Sequence, residues 1–115
     1  MRYMLMHYSD EAYEAGAPPS PELIAGVGKF MEETAQSGVL LAAEGVHPSS
    51  KGARLTLDGG KVTVKDGPFA EAKELIAGFA IIDVKSKEEA IEHARRFASI
   101  IGGHVQVDVR LVAEG

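Results

Sequence analysis

Apolar residues in this chain recur with two different periods. Over residues 2–8 both alternating sets are mainly apolar: Tyr3, Leu5 and His7 share one face, Met4, Met6 and Tyr8 the other. That is the pattern of a central strand covered on two sides. Residues 9–20 read as a loop. From Leu23 the step becomes three and four, and Leu23, Ile24, Val27, Phe30, Met31 and Ala35 form one helical stripe. Ser20 supplies its N-cap and Pro21 its first position, where the missing N–H costs nothing. Gly38 stops it. Gly26 and Gly28 are poor helix formers, and within this stripe they predict a close approach of helix to sheet.

Val39 to Ala43 is a second strand, closing in Glu44-Gly45. Arg54-Leu55-Thr56-Leu57 and Val62-Thr63-Val64-Lys65 alternate strictly, and Asp58-Gly59-Gly60 between them signals a hairpin turn. Arg54, Thr56, Thr63 and Lys65 predict one wet face. Ile76 to Val84 is the third main strand. Ser86-Lys87-Glu88-Glu89 has the form of a capping box, and Ala90, Ile91, Ala94, Phe97, Ala98 and Ile101 give a second helical stripe ended by Gly102-Gly103. His93 falls on the polar side of that helix. In the last strand Val105, Val107, Val109 and Leu111 face one way; His104, Gln106, Asp108 and Arg110 face the other.

Without the hairpin, the order is two β-α-β halves. Right-handed crossovers place both helices on one face of the sheet. The expectation is α+β: a ferredoxin-like βαββαβ sandwich with an inserted β-hairpin. Its other sheet face is too apolar at strands 1 and 3 to meet water. Stacking that face on a second copy predicts a homodimer built as a dimeric α+β barrel.

A chain of 115 residues suits one domain over residues 1–115, and a domain this small buries only about two-thirds of its unfolded surface, which also favours association. Seventeen acidic against twelve basic residues give a formal net charge of -5. Nonspecific nucleic-acid binding, which needs clustered Lys and Arg, is disfavoured. The absence of cysteine removes disulfide and thiolate chemistry. No apolar run approaches the roughly 20 residues of a membrane span, and the polar Tyr8-Ser9-Asp10-Glu11 arrives too soon for a signal peptide. A cytoplasmic protein with no membrane partner is expected.

Chemistry concentrates in Asp66-Gly67-Pro68-Phe69-Ala70-Glu71-Ala72-Lys73-Glu74. Asp66 suits an Asx-turn, Pro68 fixes the turn, Phe69 reads as a core plug, and Glu71 to Glu74 allows about one helical turn with Glu71 and Glu74 as neighbours. The motif therefore reads as a rigid crossover. It also offers Asp66 as a general acid or base if desolvated in a cleft, with Glu71 and Lys73 as ligand-binding groups. His7, at the end of the first strand, is a proton-transfer candidate. Its neighbour Tyr8, a further ligand-binding candidate, faces the opposite side, and Glu44 is the carboxylate to pair with them. No metal is expected, because His7, His47, Glu44 and Asp66 lack any recognised ligand spacing. No glycine pattern cradles phosphate, no G-x-S-x-G elbow presents a serine, and no cofactor is expected.

The same nine residues, with Gly78-Phe79 following, resemble the signature of the DGPF proteins, a branch of the YCII-related family. Arg2 to Met6, Glu44-Gly45 and Ile81-Ile82-Asp83-Val84 agree with it, so the resemblance covers nearly the whole chain. It implies a dimeric α+β barrel. It also implies that DGPF proteins often accompany alternative sigma factors, and that most have no assigned reaction. In enzyme-like YCII relatives proton transfer is attributed to a first-helix histidine paired with an aspartate. Residues 21–37 contain no histidine, so that pair is not carried over. Two readings follow: cofactor-free acid–base chemistry of lyase or isomerase type on a small molecule, carried by Asp66, His7 and Glu44, or a noncatalytic ligand-binding or regulatory module. A purely assembling role is the third.

Overall fold

The computed structural model describes residues 1–114. In chain order the elements are β1 (Arg2–Tyr8), α1 (Glu11–Glu14), α2 (Pro21–Gln36), β2 (Leu40–Gly45), β3 (Ala53–Asp58), β4 (Lys61–Asp66), β5 (Ile76–Asp83), α3 (Lys87–Ile101) and β6 (Val107–Leu111), with single 3-10 turns at Ser49–Lys51 and Ala72–Glu74. The class is α+β, as the periodicities predict. Four strands form one sheet in the order β2-β5-β1-β6, with each neighbouring pair antiparallel, while β3 and β4 pair only with each other.

Local chemistry sets the element ends. The Ser20 hydroxyl accepts from the Leu23 amide at 3.1 Å and caps α2. Ser86 accepts from the Glu89 amide at 3.1 Å, but the Glu89 carboxylate accepts in return from Lys85, one residue outside the expected box. The segment taken as a loop holds α1, a single turn whose Asp10 cap accepts from the Tyr13 amide at 2.7 Å. Four residues are too few to show a period.

Register sorts the sheet into two faces, because directly paired residues share a side. Tyr3, Leu5 and His7 pair with Ile82, Ala80 and Gly78 of β5 and with Leu111, Val109 and Val107 of β6. This inner face meets the helices, and Tyr3, Leu5, Ala80, Ile82, Val84, Ala90 and Ala94 form the buried core. The alanines let α3 lie close to the sheet. Gly26 acts elsewhere than expected: a Cβ there would stand 3.0 Å from Ile100 Cγ2, so it admits α3 against α2 rather than a helix against the sheet. Gly28 meets nothing within 4 Å. The outer face carries Met4, Met6, Phe79 and Ile81, all only half-buried, and no element among the described residues covers it.

The β3–β4 hairpin stands away from this body. Leu55 pairs with Val64 and Leu57 with Val62 on one face, and Arg54 with Lys65 and Thr56 with Thr63 on the other. Both faces are open: the four aliphatic residues keep 56–65% exposure, so the face expected to be dry is bare as well. The radius of gyration, 15.8 Å, exceeds the about 13 Å of a compact chain of this length, as a projecting arm requires.

The base of the arm is clasped by the Asp66–Phe69 motif. Gly67 passes so close to the 49–52 turn that a Cβ on it would lie 1.7 Å from the Ser49 carbonyl oxygen. The Gly67 amide donates to Gly52 O at 3.0 Å, and the Phe69 amide donates to Ser49 Oγ at 2.9 Å. Ser49 in turn donates its hydroxyl and its amide to the Glu14 carboxylate of α1. Phe69 is not a core plug. It is half-buried, with the Arg54 guanidinium 4.3 Å from its ring centroid.

Candidate functional site

His7 occupies the last inner-face position of β1. Opposite it on β5 stands Gly78, where a Cβ would come within 3.5 Å of His7 Cε1 and 3.0 Å of the Glu44 carbonyl. Gly78 therefore leaves room for the imidazole and for the neighbouring backbone. The ring packs edge-on against Phe97 of α3, with centroids 5.3 Å apart, and Phe97 in turn leans on Phe30 of α2 at 6.0 Å. Burial pushes the His7 pKa below its ordinary value, and the charge of Asp10 opposes this in part. A neutral imidazole at pH 7 follows, the form in which histidine accepts a proton.

Two cavities meet at this ring. The inner one, about 250 Å³, lies between the sheet and the two long helices, with Leu5, Phe30, Met31, Leu40 and Ile82 among its walls. The outer one, about 790 Å³, opens where the start of α2, the end of α3 and the end of β1 converge, and Asp10, Tyr13, Lys73 and His104 border it. His7, Val27, Gly45 and Phe97 line both. An apolar chamber with a more polar antechamber is the usual form of a small-molecule site. It lies on the helix side of the sheet, not on the face expected to stack on a second copy.

The candidate residues do not all gather there. Glu44 pairs with Phe79, which sends its side chain to the outer face, although both residues border the inner cavity. Asp66 ends β4 in an exposed position and borders neither cavity. Tyr8 borders the outer cavity, while its hydroxyl donates to Asp108 on the outer sheet face at 2.7 Å. That bond raises the phenol pKa. Lys73 borders the outer cavity; Glu71 does not. Glu71 takes a left-handed backbone, φ +61°, and stands outside the Ala72–Glu74 turn, so it does not share a helical face with Glu74.

His93 is the residue that sequence reasoning misplaced. It lines the inner cavity, and its Nδ1 is buried without a hydrogen-bond partner among the described residues. The signal was in the spacing: His93 lies three residues after Ala90 and four before Phe97, within the apolar stripe. Among the described residues no group of three or more His, Cys, Asp or Glu side chains stands ready to hold a metal ion, and no helix is long and apolar enough to cross a membrane.

A family model, the YCII-related domain, matches residues 1–110. An uncharacterised protein of Rhizobium meliloti (strain 1021) is 28% identical across 98% of this chain and 93% of its own length.

Proposed function

The chain belongs to the YCII-related family, and we propose that it is a homodimer whose subunits each bind a small molecule between the sheet and the long helices, with His7 as the proton-transfer group. The carrying observation is the position of His7, neutral and at the junction of the two cavities. A molecule entering by the outer cavity passes Tyr13 and Lys73 and meets the imidazole before it reaches the apolar chamber. Among the described residues no carboxylate is hydrogen-bonded to His7, and Asp10 acts on it through its charge alone, so the imidazole works as a single base. It takes a proton from an acidified C–H or O–H of the ligand and returns it, as an isomerase- or lyase-like step needs. Binding without turnover uses the same contacts. Lys73 and Tyr8 serve the antechamber. Asp66 and Glu71 belong to the hairpin junction, and Glu44 to the outer face.

The strand order β2-β5-β1-β6 supports a ferredoxin-like sandwich with the hairpin inserted, and the Asp66–Phe69 motif supports placement in the DGPF branch. The half-buried Met4, Met6, Phe79 and Ile81 support stacking of that sheet face on a second copy as a dimeric barrel. The test is a thermal-shift screen of metabolites on native protein and on Ala43→Phe, which fills the inner cavity. Compounds that stabilise the native chain should lose their effect in the variant, and any that is turned over should lose turnover in His7→Gln. Stabilisation that survives the filled cavity would place binding elsewhere.

A further inference from the structure

The β3–β4 arm carries an apolar face that nothing among the described residues covers. Leu55 and Leu57 lie opposite Val64 and Val62, and all four are 56–65% exposed. A two-stranded hairpin is marginal in water unless its apolar face packs on something. This one is nonetheless firmly mounted. Gly67 and Phe69 hydrogen-bond the 49–52 turn, and that clasp holds the arm off its own body. The arm also differs from the body in charge. Residues 51–66 carry four basic and two acidic side chains, a net +2, while the rest of the chain carries eight and fifteen, a net -7. Such an arm is attracted to the body of another copy and repelled by another arm.

A matching surface lies on the β2 flank of the outer sheet face. β2 is an edge strand, and the bulge between Leu40 and Ala42 leaves Leu41 53% exposed. Glu44 turns to the same flank beside Phe79. Among the described residues neither Glu44 nor the arm's Lys61 and Lys65 takes part in an ion pair. Reach favours a second copy: the six residues of β3 span about 20 Å, and stacked sheets lie only about 10 Å apart. Area favours it too. A specific interface takes about twenty residues a side, far more than Met4, Met6, Phe79 and Ile81 supply.

Resting on the homodimer proposed above, we infer that the arm of each copy crosses to its partner. There Leu55, Leu57, Val62 and Val64 cover the β2 flank around Leu41. Lys61 and Lys65 stand on the opposite face of the ribbon, but it is only two strands wide, so their long stems reach past its edge to the Glu44 carboxylate of the other copy. The exchange is reciprocal, so one two-fold contact seats both arms and leaves none free.

The native protein tests this by zero-length carbodiimide coupling, which joins a lysine to a carboxylate only where they touch. Isotope-labelled and unlabelled protein are left to exchange subunits, coupled, digested and read by mass spectrometry. Links from Lys61 or Lys65 to Glu44 should appear in mixed-isotope pairs. Links confined to single-isotope pairs, or mixed links from Lys61 to Asp58 that signal arm on arm, overturn the inference. Sedimentation supplies the second readout. Leu57→Asp should raise the dimer Kd at least about tenfold, and Thr56→Asp, the same charge on the arm's other face, by no more than about threefold. Equal effects overturn the arm contact and leave the dimer standing. A native chain that stays single at micromolar concentration overturns the homodimer and this inference with it. Cosedimentation with phosphatidylcholine–phosphatidylglycerol vesicles that Leu57→Asp abolishes assigns the face to lipid, and overturns the inference as well.

Discussion

Replacing Gly67 with alanine should cost far more than an exposed loop position normally does. The added Cβ would lie 1.7 Å from Ser49 O and 2.5 Å from Ser49 C, so the two segments must part by about 1.3 Å to reach even the shortest tolerated contact, near 3 Å. Both hydrogen bonds that close the junction, Gly67 N to Gly52 O at 3.0 Å and Phe69 N to Ser49 Oγ at 2.9 Å, break at such a separation. At about 1 kcal/mol each, and with residual strain, the loss is about 2–3 kcal/mol. For a chain of this size that lowers Tm by roughly 10 °C. Urea unfolding followed by far-UV circular dichroism measures the first quantity. Amide exchange measures its location: protection should fall across residues 49–75 and hold in β5. A Gly67→Ala protein within about 0.5 kcal/mol of native, or one whose protection falls evenly through the sheet, would refute the clasp and return the motif to consideration as a chemical site.

Gly28→Ala is the counterpart, since nothing lies within 4 Å of the added methyl and the backbone is helical; stability should rise by up to about 1 kcal/mol, read by the same unfolding curve. Ser49→Ala removes the hydroxyl that joins the Phe69 amide to Glu14 and should cost about 1–2 kcal/mol, with the loss confined to the arm's base in hydrogen exchange. The His7 contribution to pH dependence has a definite sign. Its folded pKa lies below the ordinary 6.5, so the unfolded chain binds the proton first as pH falls. The associated stability is complete above pH 6.5 and is lost as pH drops through the lowered value. Thermal melts of native and His7→Phe protein should differ least above pH 7, with the native chain the more acid-sensitive below 6.5. Met6→Lys on the outer sheet face should halve the sedimenting mass at micromolar concentration if that face joins two copies, and leave it unchanged if it does not.

Much of the fold was written in local chemistry. The caps at Ser20 and Ser86, the Asp58-Gly59-Gly60 turn and the two long helices each depend on a few neighbouring residues, and each formed where the pattern placed it, although Ile24 and Ile91 of the two stripes stay exposed. What was illegible depends on contacts distant in sequence. Nothing near Gly26 announces Ile100, some seventy residues on, so its partner was read as sheet when it is a helix. Phe69 looked like a core residue because the chain gives no hint that Arg54 lies over its ring. The site divides in the same way. His7 was recognisable as the histidine at the end of the first strand, whereas the face taken by Glu44 depends on the β2–β5 register, which a bulge between Leu40 and Ala42 resets. His93 was legible but overridden by its polarity, although its spacing from Ala90 and Phe97 was helical.

Methyl NMR during a titration with 2-naphthol tests most directly where a small molecule sits. Ring-current shifts should appear at Leu5, Val27, Leu40, Ile82 and Val107, which line the inner cavity, with Met4, Met6 and Ile81 on the outer face unmoved. Shifts confined to Met4, Met6 and Ile81 would contradict the account and put the ligand on the sheet's other side.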